Sequence, residues 1–281
     1  MNETTLILAA ALLPLSFGVF LSYRVFRIPD ITTDGSFSLG GALYIWGVTI
    51  GLNSGVALLL SLTGGAISGA ITGTLFQRLK IPALLAGILV MGALFSVNLL
   101  ITGKANLTLP EPSPLHEMIG HDSNKNLLIG FISLGVFIMM ILLLRSDFGL
   151  GLRAAGSNRE AAAAQGIKIN TMQNAGLALA NGLTGVSGAL MVLSQGFWDI
   201  NMGTGIIIAG MAAVMIAEAL SGRKGFFLHA FLLLPSTLLY RWIIAQVLSL
   251  GLEPVYVKLI TSVMVISILA LIHFKNKAPH A

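Results

Sequence analysis

The sequence predicts an all-α polytopic membrane protein with about nine transmembrane helices, including broken helices, arranged as two inverted repeats. Hydrophobic residues make up 56% of the 281 positions and charged residues only 10%, against about 25% charged in an average soluble domain. The apolar residues fall in runs long enough to cross a bilayer as helices, which satisfy their own backbone hydrogen bonds in lipid. The 32 glycines fit the close helix packing found in membranes.

Breaks between the apolar runs divide the chain into nine predicted spans, because length rather than periodicity identifies helices that are buried on all sides. The spans are residues 4–23, 36–52, 54–75, 83–102, 126–144, 171–194, 203–220, 226–249 and 255–273. The second and seventh spans are short, and glycines interrupt the seventh, so both are candidate half-helices.

Basic residues set the predicted orientation, because cytoplasmic loops carry an excess of lysine and arginine. Twelve of the 16 basic residues fall in alternate loops: Arg24, Arg27, Arg78, Lys80, Arg145, Arg153, Arg159, Lys168, Arg223, Lys224, Lys275 and Lys277. We therefore predict an outward N-terminus, a cytoplasmic C-terminus and a cytoplasmic segment at 146–170. This topology accounts for the net charge of +5 without a nucleic-acid partner. The N-terminus has no basic region of a signal peptide, so the first span should remain in the mature protein.

An acidic loop stands before each of the two short spans. Irregular backbone at membrane depth is tolerated only where it lines a cavity or is buried in protein. We predict that the polar residues of these loops line a substrate path: Asp30, Thr32, Thr33, Asp34, Ser36, Asp199 and Asn201. For Asp34 and Ser36 the alternative is a helix cap and nothing more.

The two acidic loops also predict an internal symmetry. The first should face inward and the second outward, and corresponding broken elements of opposite orientation indicate inverted repeats that converge on a substrate path. The prediction is one transmembrane domain, 1–281, with repeat one at about 1–145, a connecting cytoplasmic segment at 146–170 and repeat two at about 171–273.

Polar and charged side chains within the spans are further candidates for function. Asn98 needs a hydrogen-bond partner in lipid, so it either joins two helices or lines the path. Arg241 and Lys258 lie toward the outer ends of their spans. They either snorkel to the outer surface, pair with Asp199 or Glu253, or receive a carboxylate.

A polar run at 153–167 carries its own helix signals. Ser157 followed by Glu160 predicts a capping box, four alanines follow, and Gly166 stands where a left-handed cap belongs. The predicted helix has about eight residues, which is too short to be stable alone in water. It should therefore dock, either onto another protein through its alanine-rich surface or onto the membrane as an amphipathic connector.

The same run resembles the cytoplasmic coupling loop of permease subunits of ABC importers, in the class that handles branched-chain amino acids and ribose. The motif positions are filled by Arg153, Gly156, Asn158, Ala161, Ala162, Gly166 and Ile167. In that family the loop forms a short helix that sits in a cleft of the ATPase subunit. The resemblance therefore implies that this segment, with Ser157 and Glu160, couples the chain to an ATPase.

The resemblance extends to four further segments: 30–36, 84–89, 212–220 and 239–241. Together they are similar to tryptophan and tyrosine permeases. This implies import of an amino acid, aromatic or branched-chain, through a permease homodimer in the bacterial cytoplasmic membrane. An extracytoplasmic substrate-binding lipoprotein would deliver it, and the proline-rich loop at 103–125 would suit contact with that receptor. Met91 belongs to the implied path, although Val90 and Gly92 stand where the family pattern predicts threonines.

Several enzyme motifs are missing from the sequence. It contains no Gly-x-x-x-x-Gly-Lys-Ser/Thr, His-Glu-x-x-His or Gly-x-Ser-x-Gly run, so it cannot hold ATP phosphates by the P-loop route and lacks these hydrolase motifs. We predict a transport subunit that is not itself an enzyme and holds no cofactor or metal, with Mg-ATP bound by the partner ATPase. The alternative is an ion-coupled secondary transporter of a small organic solute, with Asp30, Asp34 or Asp199 as ion ligands.

Overall fold

The computed structural model describes residues 3–110, 122–222, 225–251 and 256–277, without the side chains of 122–124 and 271–277. Much of the proline-rich loop, together with Arg223, Lys224 and Glu253, therefore lies outside the described residues, as do the side chains of Lys275 and Lys277.

Eleven α-helices and two short strands make up this described part of the chain. The helices are α1 (Glu3–Phe20), α2 (Thr32–Thr49), α3 (Ser54–Arg78), α4 (Ala83–Thr102), α5 (Asp122–Arg145), α6 (Asp147–Ser157), α7 (Arg159–Ala164), α8 (Ile169–Gln195), α9 (Ile206–Ser221), α10 (Phe226–Ser249) and α11 (Val257–Lys277). A π-helical segment, Leu21–Phe26, continues α1. The strands are β1 (Asn106–Thr108) and β2 (Phe197–Asp199).

Helix boundaries follow local sequence chemistry. The Asn53 side chain caps α3 by accepting a hydrogen bond from the Gly55 amide at 2.8 Å. Gly103 and Gly196 end α4 and α8 in the left-handed conformation that glycine adopts without steric cost. The helices thus stop where the apolar runs of the sequence stop.

The centre of the molecule is α8, which is buried along most of its length and packs against α1, α2 and α3. Glycines bring these helices into backbone contact: a Cβ on Gly40 would meet the backbone of Gly185, and one on Gly65 would meet the carbonyl of Asn181. Small residues at such crossings are the usual way for helices to associate closely in lipid. The glycine content of the sequence is therefore used for packing.

The halves of the chain exchange their first helices. α8, which begins the second half, packs against α2 and α3 of the first, and α1 packs against α9 and α10 of the second. Each half thus completes the core of the other.

The two strands form a small antiparallel sheet in which Leu107 lies opposite Trp198. The all-α prediction missed this sheet, because each strand has three residues. Trp198 is fully buried and donates from its indole nitrogen to the Ser38 carbonyl at 2.9 Å. The sheet therefore fixes the 197–205 loop against α2.

Six helical segments within the described residues are long and apolar enough to cross a membrane: Glu3–Phe26, Ser54–Arg78, Ala83–Thr102, Lys125–Arg145, Ile169–Gln195 and Phe226–Ser249. α9 and the Val257–Ala270 part of α11 are shorter apolar helices. The prediction of a polytopic helical membrane protein is confirmed, whereas nine spans and inverted repeats remain predictions.

Candidate functional site

A groove of about 410 Å³ lies between α2, α4 and the loop that precedes α9. Its walls therefore combine both halves of the chain. The lining residues are Asp34, Gly35, Ser38, Met91, Gly92, Phe95, Asn98, Ile200, Gly203 and Thr204. Three of the residues predicted for the substrate path, Asp34, Met91 and Asn98, are brought together here.

Asn98 is a buried polar residue in the wall of the groove. Its side chain is 1% exposed, and among the described residues its Oδ1 atom has no hydrogen-bond partner. An unpaired buried carbonyl oxygen costs about 1–3 kcal/mol, which makes this atom a candidate acceptor in the groove wall. The alternative was that Asn98 joins two helices, but its Oδ1 atom makes no such contact among the described residues.

Asp34 connects the two halves at the edge of the groove. Its carboxylate accepts hydrogen bonds from the backbone amides of Gly205 at 2.7 Å and Ile207 at 3.0 Å. These amides open α9 and have no partner within their own helix, and a carboxylate at a helix N-terminus also interacts favourably with the helix dipole. Asp34 is therefore a cap, as one alternative predicted, but of α9 and not of the helix in which it resides.

Asp30 belongs to a buried network and not to the groove. Its Oδ2 accepts from the Asn181 side chain at 2.6 Å, and its Oδ1 accepts from the Thr32 amide at 2.9 Å. Burial raises the pKa of the Asp30 carboxyl above its ordinary value, and the hydrogen bonds from Thr32 and Asn181 act in the opposite direction. The carboxyl ties the loop before α2 to the middle of α8.

The network continues through hydroxyl groups. Ser36 donates to Asn181 Oδ1 at 2.7 Å and lies 2.6 Å from the Ser68 hydroxyl, and Thr32 lies 2.8 Å from the Thr72 hydroxyl. These contacts join α2, α3 and α8. The hydroxyl of Thr33 donates to the Asp30 carbonyl at 2.9 Å, a local contact at the start of α2. Asp30, Thr32 and Ser36 thus join helices, and Ser36 caps no helix.

The second acidic loop repeats the local turn of the first. The Asp199 carboxylate accepts from the Asn201 amide at 2.8 Å, as Asp30 does from the Thr32 amide two residues on. Asp199 is half-buried and Asn201 is exposed. Neither lines the groove, but Ile200 between them does.

The two intramembrane cations have different surroundings. Lys258 is exposed, approaches Gly205 and attracts the Asp34 carboxylate. Arg241 is half-buried beside Tyr240 on α10. Neither forms a salt bridge within the described residues; the predicted partner Glu253 lies outside them, and the acid that interacts electrostatically with Lys258 is Asp34.

The predicted coupling helix is present as α7, but its cap differs from the prediction. Asn158 caps it by accepting from the Ala161 amide at 3.0 Å, while Ser157 ends the preceding helix α6. The predicted capping box of Ser157 and Glu160 is therefore wrong. The helix has six residues, two fewer than predicted.

The end of α7 agrees with the sequence. Gly166 is left-handed, with a φ of 83°. Its amide bonds to the Ala163 carbonyl at 2.9 Å, and the Ile167 amide bonds to the Ala162 carbonyl at 3.1 Å, which is the Schellman arrangement. Ala162 is buried, whereas Ala161 and Glu160 are exposed. α7 thus presents a small-residue surface outward.

Contacts with the core hold the segment in place. A Cβ on Gly156 would clash with the Val25 carbonyl, so only glycine permits this approach. Arg159 donates to Gln173 at 2.7 Å, and the guanidinium of Arg153 lies 5.0 Å from the ring centre of Phe226. The segment 153–167 is therefore joined to the ends of α1, α8 and α10.

Some groups in these sites were not predicted from the sequence. Asn181 and Ser68 lie in glycine-rich apolar helices, and the only sequence signal for them is a polar residue within a predicted span. No sequence signal pointed to Phe95 or Thr204. The approach of Lys258 to Asp34 joins residues far apart in sequence.

Comparison with known proteins places the chain in a family. The family described as the branched-chain amino acid transport system / permease component matches residues 1–272. A tyrosine transport system permease protein of Clostridioides difficile is 35% identical, covering 91% of this chain and 86% of that protein. An autoinducer 2 import system permease protein, LsrC, of Enterobacter is 26% identical over 72% of this chain and 61% of its own.

A solved structure has the same fold. It is an inward-facing conformation of a metal-chelate type ABC transporter, with a TM-score of 0.58 at 14% identity, covering 97% of this chain and 84% of the other. Permeases of this kind reside in the cytoplasmic membrane and work with an ATPase on a separate chain and a substrate-binding protein. The ion-coupled alternative is thereby set aside. The chain belongs to the branched-chain amino acid transport permease family and is the membrane-spanning permease subunit of an ABC importer.

Proposed function

We propose that the solute is an amino acid with a large apolar side chain, aromatic or branched-chain, and that it passes along the groove between α2, α4 and the loop before α9. The observation that carries this proposal is the unpaired Oδ1 atom of Asn98 in a wall otherwise formed largely by apolar groups. The oxygen can accept from an ammonium or phenol group, while Met91, Phe95 and Ile200 contact the side chain. The printed name of the C. difficile relative supports an aromatic solute.

Gly92 supports a large solute. It lines the groove, and a Cβ built on it meets nothing within 4 Å. Gly92 stands where the family pattern predicts a threonine, and the glycine leaves space in the groove that a threonine side chain would fill.

The test is uptake into proteoliposomes that contain the permease, its ATPase and its binding protein. Gly92→Thr should lower the uptake rate of tyrosine at least tenfold and that of alanine less than threefold, because the added side chain narrows the groove. Ala93→Thr on the exposed side of α4 is the matched control. Equal losses for both amino acids, or no loss, would refute the proposed path.

We also propose that α7 docks into the partner ATPase, with the residues around it, Arg153 to Ile167, forming the coupling segment. The exposed Ala161 supports this, because a small residue lets a second protein approach closely. Ala161→Arg should abolish ATP-driven uptake while membrane insertion stays intact, and Ala161→Ser should transport normally. Uptake and ATPase co-purification that are unchanged in Ala161→Arg would reject the docking role.

For the architecture we propose nine spans in two inverted repeats, with the N-terminus outside and the C-terminus in the cytoplasm. The exchange of α1 and α8 between the halves and the matching turns at Asp30 and Asp199 support the repeat. Labelling of single cysteines introduced at Ser157 and at Lys104 checks the orientation, since only the latter should react from outside.

For the assembly we propose a permease homodimer served by a substrate-binding lipoprotein, with no cofactor in this chain and Mg-ATP held by the ATPase. The family supports separate ATPase and binding-protein partners. The homodimer is tested by measuring the mass of the purified complex and the ratio of permease to ATPase chains in it. A homodimer predicts two copies of this permease and no other permease chain.

A further inference from the structure

A second cavity, of about 360 Å³, lies apart from the groove, between the end of α1, α6 and the start of α10. Three arginines line it, Arg24, Arg27 and Arg153, with Phe226 and the buried His229 among its walls. We refer to it as the arginine cavity. Neither the solute path nor the docking surface of α7 requires three cations here.

The described residues neutralise only part of the charge of the arginine cavity. Among the described residues, the one acidic group within salt-bridge distance of these arginines is Glu218, whose carboxylate lies 3.8 Å from Arg24. Both partners are partly exposed, and such pairs contribute little. Three positive charges against one negative charge leave a formal charge of +2. The cavity therefore favours an anion.

The start of α10 adds to this preference. The helix has 24 residues, and its N-cap residue, Gly225, provides no side chain to accept hydrogen bonds from the first amides. A helix N-terminus carries partial positive charge and free amide groups, which together favour an anion such as phosphate. Gly225 and Phe226 both line the cavity, so the three guanidinium groups and the helix terminus meet in one place.

Arg153 is held in position for such a ligand. Its Nε atom donates to the Gly149 carbonyl at 3.2 Å, and its guanidinium lies 5.0 Å from the ring centres of both Phe226 and Phe227. A stacked guanidinium retains its remaining N–H groups and loses little freedom when it binds a planar or tetrahedral oxyanion. At least one of the three cations of the cavity is thus held by contacts with the protein.

The surroundings of the cavity indicate a lipid. α10 is a candidate membrane span that starts at the cavity, and its following residues Leu228 and Phe231 are 39% and 49% exposed. A phosphate bound by the arginines would therefore have an apolar surface beside it for acyl chains.

We propose that the arginine cavity binds the phosphate group of an anionic phospholipid and thereby links α1, α6 and α10 beside the coupling segment. The same chemistry would suit free inorganic phosphate, and the experiment separates the two sources.

The experiment measures phosphatidylglycerol binding by native mass spectrometry and thermal unfolding, using the full-length permease in neutral detergent. Phosphatidylglycerol should bind and raise the unfolding temperature, and phosphatidylcholine should do neither. The double variant Arg24→Gln/Arg27→Gln should bind phosphatidylglycerol about 25-fold more weakly, since each basic residue near an anionic head group contributes about fivefold. Arg78→Gln, which removes an exposed arginine outside the cavity, should change binding less than twofold.

Two further arms complete the test. The double variant Arg24→Lys/Arg27→Lys keeps the charges and should restore most of the binding, which separates loss of the site from misfolding. Protection of the wild-type protein by inorganic phosphate alone, lost in the glutamine variant, would assign the cavity to a soluble phosphate. Equal binding of the two lipids, or unchanged phosphatidylglycerol affinity in the glutamine variant, would overturn the proposal.

Discussion

The loop before α2 and the loop before α9 have the same turn but different surroundings. In each, an aspartate accepts a hydrogen bond from the amide two residues further on, at 2.9 Å for Asp30 and 2.8 Å for Asp199. Asp30 is 3% exposed and also bonds to Asn181 on α8. Asp199 is half-buried at the end of β2. One turn is therefore an anchor in the core, and the other stands at the edge of the groove.

This difference shows how a repeated local motif can acquire two roles. The Asp–Ile–polar sequence fixes the turn in both places, whereas the helix that packs behind it decides whether the carboxylate is buried. Asp34, four residues after Asp30, caps α9, which is the helix that follows the second loop. The two loops are thus connected to each other, and substitutions should affect them unequally.

Asp30→Ala should have the largest effect on stability. It leaves the side-chain nitrogen of Asn181 without its carboxylate partner in a buried site, which costs about 3 kcal/mol of unfolding free energy. The measurement is denaturant unfolding in mixed micelles. A loss no larger than that of Asp199→Ala would contradict the distinction between a core anchor and an edge turn.

Asp34→Ala should rank second. The substitution leaves the amides of Gly205 and Ile207 uncapped, which costs about 1–2 kcal/mol, and it loosens the wall shared by the two halves. Asp34→Ala should therefore lower the uptake rate more than Asp30→Asn does. Asp34→Asn, which keeps an acceptor oxygen, should recover part of both losses; if it recovers neither, the capping role is wrong.

Asp199→Ala should cost less than either change, about 0.5–1 kcal/mol, because it removes one hydrogen bond from a half-buried turn. The same unfolding experiment provides the value. A loss above that of Asp34→Ala would mean that the second loop is the stronger anchor.

Asn201→Ala should have the smallest effect, below about 0.5 kcal/mol, because the residue contributes its backbone amide to the turn and its side chain is exposed. It is the matched control for Asp199→Ala. A clear fall in uptake at unchanged stability would place the Asn201 side chain on the solute path, as the sequence predicted.

The sequence was sufficient for the features that depend on neighbouring residues. Apolar runs located the long helices, and Gly166 located the end of α7. We predicted that the second span begins at residue 36, whereas α2 begins at Thr32. The turn at Asp30 starts the helix four residues earlier than the polar residues suggested. Ser157 was assigned to the wrong helix. The glycine-containing stretch before it forms α6, which continues to Ser157, so Asn158 and not Ser157 caps the next helix.

Contacts between distant residues were beyond the sequence. Nothing near Asp34 indicates that its carboxylate caps a helix 171 positions away, because the partner groups are backbone amides, which every sequence has. Asn181 was equally hidden, since its partner depends on how α8 is inserted between α2 and α3. Such long-range pairs decide which predicted polar residues face the groove and which are used in packing.

The crossing of Gly40 and Gly185 has a mechanical consequence. Neither residue has a side chain to interlock at that point, and the Ser61 hydroxyl donates to the Gly40 carbonyl at 2.7 Å. The hydrogen bonds of Asn181 lie elsewhere along α8 and join it to α2 and the loop before it. Register between α2 and α8 is therefore set by side-chain hydrogen bonds, because the close backbone contact itself offers no interlocking side chain.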